Sequence, residues 1–385
     1  MKQLPLALLV LLLAACTVQQ SAAPSMVPTA TGVTTVPSPA GQLPTAGAEA
    51  FPSPPAQAPY PKDCTPTLPD EALGKDKYTA ILEPFDVVGP AGNRLYGLIL
   101  RPDPAAYSDQ CFPAVVLVPG GINPGRTAAY ADDAQMLAAA GMVVLTFNAA
   151  ARVDTRSPED LKSEGEEGYN GFGDQDDLCA VVRYAVGLDY VIAENVGISS
   201  HSFGISTAAG CAGRQTDLPI KYIVDNEGPP DSFVICHEPS MLDDDPSNDM
   251  IEKIHEILGR YSVYRDPSDE NTAFWAEREA VRFIGNYRGR YLRLQATWDH
   301  AQPPEDETQV VDFQVPPLWW QNKHTTDIVN AAVAGGVPWV RVNLPEQRNA
   351  VNATFDMAHP PTYLPGALKD KPWTVRAILE MARMP

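Results

Sequence analysis

Basic residues are scarce: 28 Lys and Arg stand against 48 Asp and Glu, a formal net charge of −20, and no basic block interrupts the acidic background. Nucleic acid and anionic lipid headgroups are therefore poor partners for the folded part of the chain. Cysteine is sparse as well, six in 385 residues, without the C-x-x-C spacing that a structural zinc site uses. No internal repeat is visible, which argues against a solenoid. No apolar run is long enough to cross a bilayer. The acidic run Asp243-Asp-Asp-Pro-Ser-Asn-Asp249 lacks the central glycine and the closing glutamate of a calcium loop, so it reads as a solvated loop.

What is present begins with Met1 to Cys16, MKQLPLALLVLLLAAC. One lysine followed by a short apolar core is a targeting segment and is set aside from the fold. Its end, Leu13-Ala-Ala-Cys16, resembles the lipobox of bacterial lipoproteins. The resemblance implies cleavage before Cys16, acylation of that cysteine, and export to the cell envelope with the lipid as the only membrane contact. Residues 17–62 are Pro, Ala, Thr, Ser and Gly with almost no charge, and burial there cannot offset chain entropy. This stretch reads as a disordered tether, reaching roughly 40 Å as a coil and about 140 Å as extended polyproline. Residues 63–385 then form one folded domain. Among its cysteines, Cys64 and Cys111 both flank loops and are the preferred disulfide of an exported protein. Cys179 and Cys211 fall in predicted helices and are expected to be simply buried.

Tyr78 to Leu82 and Leu95 to Leu100 bracket Gly89-Pro-Ala-Gly-Asn93 and suggest an antiparallel pair at a sheet edge. Strands then alternate with helices: Val115 to Val118, Met142 to Phe147, Val196 to Ser199, Tyr222 to Asp225, Tyr291 to Leu294 and Trp339 to Val342. Continuous apolar strands in this rhythm predict a mostly parallel, doubly wound α/β sheet of eight strands. About 65 residues separate the sixth predicted strand from the seventh, far more than a crossover needs. Residues 228–290 are read as a cap inserted there.

The stretch Asn195-Val-Gly-Ile-Ser-Ser-His-Ser-Phe-Gly-Ile-Ser206 carries the chemistry. A buried strand turning abruptly into a small-residue helix would leave Ser202 exposed on the corner, with the following N–H groups aimed at whatever reacts there. The pattern G-x-S-x-G serves this turn, and here Ser200 stands where its first glycine would be. A serine at a helix start also commonly does no more than cap it. A nucleophile needs a base, an orienting acid and an oxyanion hole, arriving at strand ends in the order Ser, Asp, His. Asp299, in Thr297-Trp-Asp-His-Ala-Gln-Pro-Pro304, follows the seventh predicted strand. His359, in Asp356-Met-Ala-His-Pro-Pro361, follows the eighth. Asp225 and Glu227, after the sixth, are the alternative acids. Gly120 and Gly121 allow close backbone approach, so the N–H groups of Gly121 and Phe203 are the expected oxyanion donors.

With these stretches in hand, the region from Cys64 to Pro385 resembles the α/β-hydrolase superfamily, on the branch of dienelactone hydrolases and prolyl-oligopeptidase-like catalytic domains. LVPGG, DLCAVVRYA, GISSHSFG, FWAEREAVRFI, TWDHAQPP and His359 carry the resemblance. It implies the α/β-hydrolase fold, a Ser202, Asp299, His359 triad, and no metal or cofactor. Pro119, where a histidine often precedes the oxyanion turn, and Ser200 are its departures from the pattern. The expected activity is hydrolysis of a small carboxylic ester through an acyl-enzyme. A peptidase with the same triad and an inactive, binding lipoprotein are the competing readings. No propeller precedes the domain to filter peptides, and an alkoxide leaves more easily than an amine; both considerations favour the ester.

Overall fold

The computed structural model describes residues 64–69, 77–121, 123–153, 162–231, 269–295, 317–342 and 373–385. The chain divides into the units Met1–Ala58 and Pro59–Pro385, and all the described residues belong to the second. The proposed signal segment, all of the tether and most of the cap lie outside them.

A twisted sheet organises the second unit. Its strands are β1 (Thr65–Pro66), β2 (Ala80–Val88), β3 (Arg94–Pro102), β4 (Gln110–Val118), β5 (Val143–Phe147), β6 (Val191–His201), β7 (Ile220–Asn226), β8 (Arg290–Leu294) and β9 (Trp339–Val342). The hydrogen-bonded order is β2-β3-β5-β4-β6-β7-β8-β9, with β1 paired to β4 off this path. The eight expected strands form the main path, and the two-residue β1 is a ninth. The sheet is mixed: β2 pairs antiparallel with β3, and β3 antiparallel with β5. From β5 to β9 every pairing on the main path is parallel. The hairpin between β2 and β3 turns through the expected glycine-rich stretch, where Gly92 adopts φ 82 and the N–H of Gly89 donates to the carbonyl of Asn93 at 2.7 Å. β2 runs on to Val88 although the sequence pattern suggested an end near Leu82. Glu83, Pro84 and Asp86 break its apolar run, and an edge strand tolerates them because one of its sides has no ladder partner.

Helices cover both faces: α1 (Pro104–Tyr107), α2 (Asp132–Ala139), α3 (Phe172–Gly187), α4 (Gly204–Arg214), α5 (Asp269–Ala276), α6 (Ala280–Phe283), α7 (Pro317–Ala334) and α8 (Trp373–Arg383). Side chains alternate between faces along each strand with period two. Val116, Val143, Leu145, Ile198 and Ile223 face α3, α4 and α7, packing with Leu178, Ile205 and Ile328. Val115, Val144, Tyr222, Val224 and Leu292 face α2 and α8, packing with Leu137, Val375 and Ile378. Burying side chains of this size contributes about 1.5–3 kcal/mol each. Among the described residues no helix is long and apolar enough to cross a membrane.

Cys64 and Cys111 form the expected disulfide, joining the first strand to β4 with Cα atoms 5.6 Å apart. Cys179 and Cys211 depart from expectation: they are bonded to each other, Cα atoms 5.5 Å apart, and so tie α3 to α4. Each belongs to the inward stripe of its helix, and those two stripes face one another. Cys236 lies outside the described residues.

Replacing Cys179 and Cys211 together by alanine is expected to lower stability by about 3–4 kcal/mol, the loop-entropy value for a bridge of this span. Denaturant unfolding of the double variant against the parent, both unreduced, measures it. An unchanged midpoint, or two free thiols titrating in the unfolded parent beyond those of Cys236 and of any unacylated Cys16, would show that the bridge does not form.

Candidate active site

The parallel strands end together, and β6 ends at a corner. His201 closes the strand, α4 opens at Gly204, and Ser202 between them has φ 49. A left-handed conformation in a non-glycine residue costs on the order of 1–3 kcal/mol and persists only where its surroundings hold it. They do so on three sides. The N–H of Ser202 donates to the carbonyl of Asn226 at the end of β7 at 2.9 Å, and its own carbonyl accepts from the N–H of Ile205 at 3.1 Å. A Cβ at Gly204 would come within 2.5 Å of the Pro119 carbonyl oxygen. A Cβ at Gly120 would come within 2.8 Å of that of Ser202, and one at Gly228 within 2.7 Å of the Ser202 carbonyl oxygen. Three backbones therefore converge on the corner, and only glycine fits at the contacts.

Ser200, which replaces the first glycine of the pattern, is fully buried inside β6. There it pairs with Val118 on one side and Asp225 on the other. A hydroxymethyl group is accommodated at this position, and the corner forms without the glycine.

The turn after β4 lies against the corner. Gly121 has φ 59, and the carbonyl of Gly120 accepts from the Asn123 side chain at 2.8 Å. Behind the turn is a buried polar network that the sequence pattern did not reveal. The side-chain amide of Asn170 donates to the carbonyl of Gly121 at 2.8 Å and reaches that of Phe203 at 3.4 Å. Arg152 donates to the Asn170 side-chain oxygen at 2.9 Å and pairs with Asp174 at 2.8 Å and Glu167 at 2.9 Å. Burial alone would lower the pKa of the Arg152 guanidinium, but Asp174 and Glu167 raise it on balance, so it stays charged. Arg278 donates to the carbonyls of Gly168 and Tyr169 at 2.7 and 2.9 Å. Its own carbonyl accepts from the hydroxyl of Ser206 in the first turn of α4. The cue in the sequence was Gly168-Tyr-Asn-Gly171 just before a helix, a turn signal with nothing to show where its side chains reach.

Of the two alternative acids, Asp225 is fully buried and accepts three hydrogen bonds. One of its oxygens accepts from Tyr291 at 2.6 Å and from Arg293 at 2.7 Å; the other accepts from the N–H of Gly228 at 3.1 Å. Glu227 beside it has φ 54. His324 is fully buried in α7, and the imidazole of His201 lies beside Gly120. Asp299 and His359 lie outside the described residues, as do His237, His255 and His300. The structure thus brings together Ser202, Phe203 and Gly121, and does not describe the other two members of the expected triad. Among the described residues no cluster of metal-ligating side chains occurs.

No protein-family model and no curated protein matches the sequence. Solved structures similar to the chain include dipeptidyl peptidase 4 of Porphyromonas gingivalis, at 16% identity over 69% of this chain and 32% of that one, with a TM-score of 0.47. A puromycin-hydrolyzing peptidase of Mycobacterium tuberculosis is similar at 18% identity over 70% and 36%, TM-score 0.48. An alpha/beta hydrolase of Penicillium sp. sh18 is similar at 13% identity over 58% and 82%, TM-score 0.41. The chain spans about a third of the length of the first of these.

Asp177, one turn along α3 from Asp174, yields a test of the network's electrostatics. Burial and the neighbouring Asp174 charge push its carboxyl up to about 6, against the pull of hydrogen bonds from Asn93 and from the N–H of Ala150. A carboxyl whose pKa is higher folded than unfolded adds stability below its unfolded value near 4, and that contribution is lost as pH rises through about 6. Asp177→Asn is therefore expected to be more stable than the parent above pH 7, by up to about 3 kcal/mol, with the gap closing towards pH 4. Denaturant midpoints of both proteins across this range check it, and a gap independent of pH would contradict it.

Proposed function

We propose that this chain is a serine hydrolase of the α/β-hydrolase type that cleaves carboxylic esters through an acyl-enzyme, with Ser202 as nucleophile. The observation that carries the reading is the left-handed Ser202 at the strand-to-helix corner, held by glycine-only contacts from two neighbouring turns. A serine that only capped α4 would need none of this strain. The corner lifts the hydroxyl clear of the strand and sets it at the positive end of a helix dipole.

In this reading His359 takes the Ser202 proton as Oγ attacks the ester carbonyl, and Asp299 holds the imidazole in the required tautomer. The N–H groups of Phe203 and Gly121 stabilise the oxyanion as it develops. Collapse expels the alcohol, protonated by the imidazolium, and leaves an acyl-serine; water activated by the same imidazole then hydrolyses it. The chemistry needs neither metal nor cofactor. Esters are preferred because an alkoxide departs more readily than an amine. The domain is further proposed to be exported and held at the membrane by a lipid on Cys16. Two disulfides in so sparse a set of cysteines support an oxidising compartment.

Ser202→Ala is expected to fold normally and to lose ester hydrolysis by on the order of 10³-fold or more, together with labelling by a fluorophosphonate. Retained activity would remove the assignment. On one preparation of the parent, kcat/KM for short-acyl p-nitrophenyl esters should exceed that for peptide anilides. The reverse ratio would make the chain a peptidase, and no turnover of either, with no labelling, would leave a binding protein.

Cys16→Ser is expected to move the protein from the membrane to the soluble fraction with its hydrolytic rate unchanged, since the tether separates anchor from domain. Fractionation and an ester assay read both; a variant that stays with the membrane would point to a different anchor.

A further inference from the structure

We propose that Asn170 is a positioning residue for the oxyanion hole: its side-chain amide holds the carbonyls of Gly121 and Phe203, and so orients from behind the two residues whose N–H groups receive the oxyanion. The inference rests on the serine-hydrolase reading and adds to it a residue outside the triad and outside the hole itself.

The orientation of the amide follows from its partners. Arg152 Nη2 lies 2.9 Å from Asn170 Oδ1, and a guanidinium only donates, so the oxygen faces Arg152 and the nitrogen must face the two carbonyls. The 2.8 Å bond to Gly121 is the stronger, and the 3.4 Å approach to Phe203 is the weaker. The side chain is 1% exposed, so water does not compete for either carbonyl. Each bond fixes the plane of the peptide that follows a donor residue, and with it the ψ angle of that residue. This matters most at Gly121, where the chain has no side chain to limit its rotation and φ is already 59. An oxyanion donor helps only when it is aimed before the charge develops.

The amide is itself held by its surroundings. Tyr169 and Asn170 are consecutive left-handed residues, φ 50 and 64. The N–H of Asn170 donates to Asp174 at 2.7 Å, and Arg278 grips the two preceding carbonyls. Ser206 closes the frame by donating to the Arg278 carbonyl, so the network that aims the Gly121 turn is anchored on the helix that carries the corner. Asparagine is among the few side chains that tolerate this backbone, and it is the one that also offers a neutral donor.

Two variants of the full chain test the role. Asn170→Gly keeps the left-handed backbone and deletes the amide. Asn170→Asp keeps the shape and turns an oxygen towards the two carbonyls. On a short-acyl p-nitrophenyl ester, Asn170→Gly is expected to lower kcat by roughly 10- to 100-fold, less than removal of a donor itself, with KM changed less than about threefold. Asn170→Asp should fall at least as far. Inhibition by a short alkyl trifluoromethyl ketone, whose adduct places an oxyanion in the hole, should weaken by the same factor as kcat/KM. A merely structural residue would not give that proportionality. The proposal is overturned if Asn170→Gly turns over at the parental rate, or if kcat falls while trifluoromethyl ketone inhibition stays at the parental value. Should Asn170→Gly not fold, Asn170→Asp carries the same comparison. A parent without Ser202-dependent hydrolysis would remove the serine-hydrolase reading and this inference together, an outcome distinct from an active parent with an equally active Asn170→Gly variant.

Discussion

The closeness of three backbones at Ser202 is the constraint on which the end of the domain that carries the proposed site depends. The turn after β4, the corner after β6 and the turn after β7 approach until no side chain fits between them, and glycines stand at Gly120, Gly204 and Gly228 for that reason. The register of the parallel strands enforces the approach. β4, β6 and β7 are neighbours in the sheet, with Val118 level with Ser200 and Ser200 level with Asp225, so their ends emerge side by side. A left-handed serine alone would relax to an ordinary helix start. Wedged between the two turns, and bonded through its N–H to Asn226, it has no room to do so.

Buried charge braces this end from both sides. On one flank Arg152 and Asp174 support the Gly121 turn through Asn170; on the other Arg293 and Asp225, neither with any side-chain exposure, support the turn that carries Gly228. Arg293 also donates to the Gly228 carbonyl at 2.6 Å and to Gln295 at 2.6 Å. Such pairs add little net stability over apolar residues of the same size, yet removing one partner costs about 3–5 kcal/mol because the other charge is left stranded. Their value here is geometric. The hydrophobic clusters on the two faces fix the sheet, and beyond the strand ends directional bonds between charged groups add to the positioning.

Much of this arrangement was legible in the residues. Apolar β-branched runs marked the central parallel strands, because strands buried on both faces must be continuously apolar, and the Gly89 to Asn93 turn marked the hairpin at the edge. The corner was legible in spite of Ser200, since a strand running straight into a small-residue helix leaves few other conformations. Element lengths were less so: β6 begins at Val191, five residues before Val196. The Cys179–Cys211 bond and the Arg152, Asn170, Asp174 network were not legible, for a common reason. Each joins residues whose proximity is created by how one helix or turn rotates against another, and local periodicity says which side chains point inwards without saying what they meet there.

The same network logic bears on the orienting acid. A carboxylate that serves a catalytic imidazole must keep an oxygen available for the imidazole N–H and face the hydroxyl's side of the corner. Asp225, at the end of β7, has both oxygens committed to Gly228, Tyr291 and Arg293. The oxygen shared by Tyr291 and Arg293 is the one that pairs with the buried guanidinium. Its position in the chain made it a candidate, and its bonds tie β7 to β8 and shape the turn that presses on Ser202. With Asp225 engaged in this way, the turn after β7 is a wall of the proposed site. In the proposed arrangement the turns after β4 and β6 carry Gly121, Ser202 and Phe203, and the bonds of Asp225 set the turn after β7 against them.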